Sequence, residues 1–246
     1  MNALIHTEVL KLRTVRSPWL LLAASPLLVL AGISGLVVSG SNLRDPSMQA
    51  QALAHVGLTS IFTLAFGILA VAGEYRHKTI SDTYLGTPSR ARVIGAKLLV
   101  YAVFGALSGV ASALVGVAAA AAWWSDKGAP FAWGNSAMWT TIGGSIAWNA
   151  AFAAIGVGVG ALIRSLVGAI AAGLAWVALV EGVIGQLIGG LARWLPFNAG
   201  QALGAAAKPM ISSSLLPRWG GGVVLALYTI VFAAAALATS LRRDVS

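Results

Sequence analysis

The residue types that carry out catalysis are few in this chain, and they do not cluster. Of its 246 residues, 16 are Lys or Arg, seven are Asp or Glu, three are His and none is Cys. A shared metal site needs its ligands close together, but His6, His55 and His77 are far apart and no His-Glu-x-x-His pattern occurs. The Gly-x-x-x-x-Gly-Lys-Ser/Thr loop that cradles nucleotide phosphates is also missing. We therefore expect no catalytic site, no metal and no cofactor in this chain.

Glu181 is the one acidic residue placed well inside a long apolar stretch. A carboxylate in lipid is costly unless it is protonated or paired, so such a residue is a candidate functional group. Two interpretations stay open. Glu181 either forms hydrogen bonds that hold helices together, or it faces a substrate path or gate. Asn149, at mid-depth in another apolar stretch, is the second polar candidate for such a path.

The polar segment 74–97 carries a compact helix signal. Thr79 can cap a helix whose third residue is Asp82, a capping-box arrangement with Asp in the Glu role, and Ile80 and Tyr84 then share one face. A glycine and a proline shortly afterwards predict where this helix ends. A helix of two turns is unstable alone in water and needs a surface to pack on. The sequence leaves two candidates for that surface, the membrane and a soluble partner protein.

Long apolar blocks dominate the sequence and indicate the fold class. Hydrophobic residues make up 58% of the chain and charged residues 9%, whereas a soluble domain carries roughly 25% charged residues. Blocks of about 20 apolar residues are long enough to cross the hydrocarbon core of a bilayer as helices. We predict an all-α, polytopic membrane protein with a single transmembrane domain over residues 1–246. The predicted spans, of which the fourth and fifth are the least clearly divided, are residues 18–39, 53–73, 98–123, 138–163, 167–189 and 221–240.

The basic residues fall unevenly on the two sides of these spans. Eleven Lys and Arg residues lie in one set of alternating segments and five in the other, which together make the 16 of the chain. Because cytoplasmic segments carry the excess of Lys and Arg, we expect both ends of the chain in the cytoplasm. The net charge of +9 follows from this distribution and does not indicate a nucleic-acid partner. The first apolar block is longer than the core of a signal peptide, so we expect it to remain as a membrane anchor.

Two segments outside the spans also have predicted structure. Residues 1–16 place most of their apolar side chains on one helical face, on which Glu8 and Arg16 intrude. An interfacial helix is the preferred interpretation and a frayed basic tail the alternative. Residues 190–220 are too apolar for a disordered loop and predict short helices that lie at, or dip into, the outer leaflet. The Gly-x-Gly-x-Gly run at 156–160 follows no soluble strand, so it predicts close helix packing instead of nucleotide binding.

Residues 73–100 carry the most distinctive pattern of the chain, GEYRHKTISDTYLGTPSRARVIGAKLLV. This pattern resembles the second cytoplasmic segment of the permease subunits of bacterial ABC exporters of the type-two class. In that family the segment begins Glu-Tyr-Arg-His-Gly-Thr, continues through a short helix and a Pro- and Arg-containing stretch, and ends in a Lys that opens the next span. Lys78 is the departure, since the family usually has Gly there. The matching residues are Glu74, Tyr75, Arg76, His77, Thr79, Pro88, Arg92 and Lys97.

Two shorter matches support the resemblance. Residues 8–14 are similar to the Glu-x-x-Lys-Leu-Arg-Thr pattern of the family's N-terminal elbow helix, and residues 195–199 are similar to its Leu-Pro-Phe stretch between the fifth and sixth spans. Together with the six spans, the resemblance covers essentially the whole chain.

The resemblance implies a division of labour with a second protein. Residues 1–16 would form an elbow helix, and residues 79–85, within the coupling loop 74–97, a coupling helix that docks on a separate ABC-type ATPase. ATP and Mg would bind to that ATPase, and a second permease copy, identical or related, would complete the assembly. The family moves its substrate outward between the two permeases. The residues expected to serve coupling are Glu74, Arg76, Thr79, Ile80, Asp82, Tyr84 and Leu85.

The sequence thus leads to one hypothesis and two alternatives. The hypothesis is a permease subunit of an ATP-driven exporter in the bacterial plasma membrane, moving an amphipathic substrate. The first alternative is a membrane scaffold or sensor that transports nothing and binds a soluble partner through residues 74–97. A self-contained secondary carrier that depends on Glu181 comes third.

Overall fold

The fold is that of a computed structural model, which describes residues 2–40, 42–87, 89–204 and 214–242. All secondary structure in these residues is helical, which confirms the all-α class. A short π-helical segment, Trp176–Glu181, lies between α9 and α10. The α-helices are α1 (Asn2–Thr14), α2 (Arg16–Val38), α3 (Ser47–Leu53), α4 (His55–Leu58), α5 (Ser60–Arg76), α6 (Ile80–Gly86), α7 (Arg90–Asp126), α8 (Ser136–Ile163), α9 (Leu166–Ala175), α10 (Gly182–Leu187), α11 (Gly189–Ala192), α12 (Pro196–Leu203) and α13 (Arg218–Arg242).

Six helical segments are long and apolar enough to cross a membrane. Their number agrees with the six predicted spans, and the chain is accordingly described as a multi-pass membrane protein. In chain order, the first to sixth spans are Arg16–Val38, Ser47–Arg76, Arg90–Asp126, Ser136–Ile163, Leu166–Leu187 and Arg218–Thr239.

The third span is longer than predicted. Residues 90–97, expected within a loop, form the first two turns of α7, because their Arg, Ala, Val and Ile residues continue a helix readily. The resulting helix of 37 residues is about 55 Å long, which exceeds the roughly 30 Å hydrocarbon core of a bilayer. α7 therefore projects beyond the core, crosses it at a tilt, or does both.

The second and fifth spans are irregular, unlike the third. The second span begins earlier than predicted and is interrupted at Ala54 and Thr59, which separate α3, α4 and α5. The fifth span changes from α-helix to π-helix at Trp176. Neither irregularity was predicted, because no Pro marks either position in the sequence.

α5 and α8 form the centre of the bundle, and glycines allow them to approach closely. A Cβ atom on Gly67 of α5 would collide with the carbonyl of Ala153 on α8, and one on Gly156 of α8 would collide with the carbonyl of Leu64 on α5. The run at 156–160 thus serves close helix packing, as predicted. The first, fifth and sixth spans are the most exposed and surround this centre.

The two ends of the bundle differ in their side chains. At one end, which we call the basic end, the starts of α2 and α7 meet the end of α5 and the turn between α8 and α9. Arg164 is the C-cap of α8 and has a left-handed backbone, with φ of 58°. Its guanidinium carbon lies 5.2 Å from the ring centre of Tyr75. Ser165 caps α9, because its side chain accepts a hydrogen bond from the Gly168 N–H. The fourth and fifth spans therefore divide where predicted. The opposite, aromatic end carries Trp123, Trp124, Trp133, Trp139, Trp194 and Trp219.

Residues 190–220 contain short helices, as predicted, and the longer one is buried against other helices. α12 packs against α8 and α13, and its residues from Pro196 to Ala202 are buried within the protein. Residues 205–213 of the predicted loop lie outside the described part of the chain.

Candidate functional site

Four charged side chains meet at the basic end, where α1, α5 and α7 come together. We call Glu8, Lys11, Glu74 and Lys97 the charge cluster. The Lys97 Nζ atom donates to Glu8 Oε2 at 2.9 Å and to Glu74 Oε1 at 2.7 Å. The Lys11 Nζ atom donates to Glu8 Oε1 at 2.8 Å and to Glu74 Oε1 at 2.6 Å. Each ammonium group bridges the same two carboxylates. Because the cluster contains two lysines and two glutamates, its formal charges sum to zero.

The charge cluster is largely buried. The Lys97 side chain is 0% exposed, and its ammonium also donates to the Ala70 carbonyl at 2.9 Å, so all three of its protons have an acceptor. The second oxygen of Glu74, Oε2, is buried and accepts no hydrogen bond from the described residues. Removing one partner from a buried ion pair costs about 3–5 kcal/mol, because the other charge is left uncompensated. Loss of any single member therefore weakens the attachment of α1 to the bundle.

Local helix geometry positions each pair of this cluster. Glu8 and Lys11 are three residues apart on α1 and share one face. Ala70 and Glu74 are four residues apart on α5, so the carbonyl and the carboxylate both reach Lys97. This explains why Glu8 intrudes on the otherwise apolar face of α1. That face is buried against α7, and Glu8 is buried with it.

Lys11 is the partly exposed member of the cluster. Burial acts to lower the pKa of Lys11, but the hydrogen bonds and charges of Glu74 and Glu8 raise it above its ordinary value of 10.5. Because the folded-state pKa is the higher one, the contribution of Lys11 to stability is complete below about pH 10.5. It is lost as the pH rises through the folded-state value. At neutral pH Lys11 is protonated and holds both carboxylates.

A tight turn connects the end of α5 to α6. The Thr79 N–H donates to the Glu74 carbonyl at 3.0 Å and the Lys78 N–H to the Tyr75 carbonyl at 3.3 Å, which is the Schellman arrangement. Its left-handed residue is Lys78, with φ of 57°. Glycine is the residue best suited to this conformation. The lysine therefore keeps a turn that glycine would form with less strain.

Replacing Lys78 with glycine is expected to stabilise the protein by about 0.5–1 kcal/mol. The left-handed conformation costs a residue with a Cβ atom roughly 1–2 kcal/mol, and the greater freedom of glycine in the unfolded chain offsets part of the gain. The measurement is the free energy of unfolding in mixed micelles. Lys127→Gly is the matched control, because Lys127 also follows the end of a helix but has an ordinary φ of −85°. Equal effects of the two substitutions would contradict the assignment of strain to Lys78.

α6 is a separate short helix anchored at one end. Ile80 is 2% exposed, whereas Leu85, five residues further along, is 83% exposed. The helix ends at Gly86, and Thr87 is extended, as a residue before proline tends to be. The predicted helix over 79–85 is thus present with its bounds shifted by one residue. Pro88 and the side chains of Asp82 and Tyr84 lie outside the described part of the structure.

The predicted capping hydrogen bond of Thr79 is wrong. Thr79 has a helical backbone, with φ of −90° and ψ of −6°, and its side chain makes no capping hydrogen bond. An N-cap residue normally has an extended backbone, which aims its hydroxyl at the following N–H groups. The turn that begins at Glu74 imposes the helical conformation instead. Arg76, the other coupling candidate in this region, is exposed and is not part of the charge cluster.

Asn149 joins α8 to the interruption in the second span. Its side chain is 0% exposed, and its Nδ2 donates to the carbonyls of Val56 at 3.0 Å and Ser145 at 2.9 Å. Its Oδ1 accepts from the Thr59 hydroxyl at 3.0 Å. Interrupting a helix in a membrane leaves backbone groups unpaired, and neighbouring side chains must satisfy them. The amide of Asn149 does this for the carbonyl of Val56.

Glu181 caps the N-terminus of α12 from a distance. It is 1% exposed. Its two oxygens accept the N–H groups of Phe197 at 2.8 Å and Asn198 at 2.9 Å, and the Asn198 amide adds a bond of 3.0 Å. The indole of Trp176 donates to the same carboxylate at 3.2 Å. This geometry favours the first interpretation of Glu181, a hydrogen-bonded group that holds helical segments together.

The π-helical segment explains how Trp176 reaches Glu181. Residues five apart point in different directions on an α-helix, but the wider turn of a π-helix pairs residues i and i+5. Trp176 and Glu181 are the first and last residues of this segment. The change of helix type therefore brings the indole and the carboxylate to one face, beside the start of α12.

No protein-family model matches this chain, and no curated protein matches it. Among the described residues, no three His, Asp or Glu side chains are grouped as a metal site would require.

Proposed function

We propose that this protein is the permease subunit of an ATP-driven exporter and that α6 is the element through which an ATPase subunit moves it. In this proposal the ATPase binds ATP and Mg, two permease copies form the transport unit, and an amphipathic substrate leaves between them. Nucleotide binding draws the two α6 helices together, and the bundles rock as rigid bodies.

The main support is α6 itself. It is a helix of seven residues between two spans, and a helix this short requires packing to be stable. Ile80, at one end of the helix, is buried against the bundle, whereas the apolar side chain of Leu85 is exposed. The motif that resembles exporter permeases falls on this helix and the turn before it. A soluble partner that covers Leu85 accounts for both its exposure and its position.

The charge cluster supports the proposal by joining the elements next to α6. Glu74 lies at the end of α5 just before the turn, and Lys97 lies in the first turns of α7, which follows α6. Glu8 and Lys11 connect the same point to α1, the proposed elbow helix. A force applied to α6 would reach α1, α5 and α7 together, as rigid-body coupling requires.

The placement of the chain in the membrane is part of the proposal. The excess of Lys and Arg at the basic end favours a cytoplasmic position for that end, with both termini inside a bacterial plasma membrane. An ATPase in the cytoplasm would then meet α6 directly. Accessibility of single cysteines to a membrane-impermeant thiol reagent tests this, and the chain has no native cysteine to interfere.

Purification in a mild detergent tests the function. We expect an ATPase subunit to co-purify in a one-to-one ratio and its ATP hydrolysis to change when the permease is present. Recovery of a stoichiometric partner that hydrolyses no ATP would instead favour a scaffold or sensor. Transport by the chain alone in liposomes would favour a secondary carrier.

Leu85→Asp is expected to lower the affinity for the ATPase about 10- to 100-fold. Covering an exposed leucine stabilises a complex by roughly 1.5–3 kcal/mol, and an aspartate at that position would oppose burial. The measurement is the amount of ATPase retained at fixed detergent and salt. His6→Asp is the control, because it adds the same charge at an exposed position of α1. Undiminished retention with Leu85→Asp would remove α6 from the interface.

A further inference from the structure

An apolar cavity of about 180 Å³ lies between the fifth and sixth spans. Its inner wall consists of residues buried in the protein, among them Phe152 and Ile155 of α8. Its rim consists of partly exposed side chains, including Trp176 of the π-helical segment and Phe232 of α13. The rim residues also face the surroundings of the bundle, so an occupant would enter from the side of the spans.

The depth of this cavity in the membrane identifies those surroundings. Val177 lies near the middle of the fifth span, Leu166–Leu187, and Tyr228 lies near the middle of the sixth, Arg218–Thr239. The middle of a span corresponds to the centre of the hydrocarbon core, about 15 Å from either polar surface. The acyl chains of the two leaflets end at this depth, whereas their head groups remain at the surfaces. A cavity here is therefore adjacent to the ends of acyl chains.

The lining offers little to water or to a polar ligand. Glu181 is the one charged residue in it. Glu181 already accepts four hydrogen bonds, from Trp176, Phe197 and Asn198, and a carboxylate has about four acceptor positions. The hydroxyl of Tyr228 is the remaining polar side-chain group of the lining, whereas a buried water needs about two to four polar partners.

The size of the cavity indicates how much hydrocarbon it can hold. An apolar cavity of about 150 Å³ stays dry and binds benzene. The present cavity, of about 180 Å³, therefore suits an apolar group of roughly six carbon atoms. This is a short segment of an acyl chain and not a whole lipid.

We propose that this cavity binds the end of a phospholipid acyl chain. The last carbon atoms of the chain, roughly six of them, fill the cavity against Phe152 and Ile155, and the head group stays at the membrane surface. The chain end also packs against the π-helical segment and against Pro196 at the start of α12, which are the two segments that Glu181 joins. The site belongs to one copy of the protein and requires no ATPase, so its test is separate from that of the exporter function.

Photocrosslinking of the wild-type protein in nanodiscs tests the site. The probe is a phosphatidylcholine with a diazirine at the end of one acyl chain, present as a minor component in unlabelled phosphatidylcholine. We expect it to label Phe152 and Ile155, which are buried, at least as strongly as Leu179 and Ile230, which are exposed at a similar depth. Crosslinks confined to exposed residues such as Leu179 and Ile230 would overturn the proposal. The result requires no variant, so it does not depend on the folding of a mutant.

Two further probes identify the occupant. A phosphatidylcholine with the diazirine next to the ester should not label Phe152 or Ile155, because that part of the chain lies near the membrane surface. Equal labelling by the two lipids would contradict the chain-end assignment. If a diazirine derivative of hexane labelled these residues and the phospholipid did not, the site would take free hydrocarbon and the lipid assignment would be wrong.

Two matched substitutions of valine by phenylalanine separate the cavity from the exposed surface. Val159 lines the cavity, whereas Val231 is exposed near the middle of the sixth span and does not line it. Val159→Phe should reduce labelling of Phe152 about tenfold, because the larger side chain displaces roughly two methylene groups of the acyl chain. Val231→Phe should leave that labelling unchanged. Equal labelling of Phe152 in the two variants would place the chain end outside the cavity.

Discussion

Replacing Lys97 with methionine is expected to destabilise the protein by about 3–5 kcal/mol. Methionine fills much of the same space but leaves Glu8 and Glu74 with Lys11 as their single counter-charge. It also leaves the buried Ala70 carbonyl without the ammonium that now donates to it. The measurement is the free energy of unfolding in mixed micelles, with limited proteolysis of α1 as a second readout. We expect α1 to be cleaved first, because the charge cluster anchors it to α5 and α7.

The control and the rescue for Lys97→Met both come from the same chain. Lys127 pairs with Asp126 at 3.4 Å on an exposed part of the surface, and such pairs contribute about 0–1 kcal/mol. Lys127→Met should therefore have little effect. Replacing all four members of the charge cluster with apolar residues of similar size should recover most of the loss, because no charge then remains buried. A loss below about 1 kcal/mol for Lys97→Met would show that the cluster contributes little.

Glu181→Leu is expected to release α12 from the fifth span and to destabilise the protein by about 3 kcal/mol. The substitution removes the acceptor of the Phe197 and Asn198 N–H groups, and each buried donor left unpaired costs about 1–3 kcal/mol. Loss of a helix cap alone costs about 0.5–2 kcal/mol. Hydrogen exchange at residues 197 and 198 should accelerate roughly 100-fold, which corresponds to an opening free energy lowered by about 2.7 kcal/mol.

Two further variants make the Glu181 result specific. Gln186→Leu changes an exposed polar residue five positions along the same span and should leave exchange at 197 and 198 unaltered. Glu181→Gln should give an intermediate effect, because one amide oxygen still accepts while the amide nitrogen faces donors. If hydrogen exchange at residues 197 and 198 were unchanged in Glu181→Leu, the capping role would be contradicted. Glu181 would then again be a candidate for a substrate path.

The positions of the spans and of α6 were predictable because local signals specify them. Apolar blocks about 20 residues long predict spans wherever they occur, and the turn residues around 86–88 predicted the end of α6. The division at Arg164 and Ser165 was also local, since a left-handed cap and a serine N-cap are both short-range features. These parts of the fold required no knowledge of which helices become neighbours.

The charge cluster could not be predicted in the same way. Lys11 and Glu74 are 63 residues apart, and Glu8 and Lys97 are 89 apart, so their pairing depends on how the helices pack. The misplaced Glu8 on the apolar face of α1 was the one available signal. For the same reason, the sequence could not predict that Glu181 caps α12 or that Asn149 pairs with the backbone of the second span. In each case the partner is a backbone group on another segment.

The uninterrupted length of α7 has a mechanical consequence. The second span is interrupted and the fifth changes helix type, whereas α7 runs as one continuous helix from the neighbourhood of α6 to Trp124 at the aromatic end. A rod of about 55 Å that pivots by roughly 10° about one end carries its other end through about 10 Å. A small rotation of α7 at one membrane surface would thus produce a large displacement of its other end at the opposite surface.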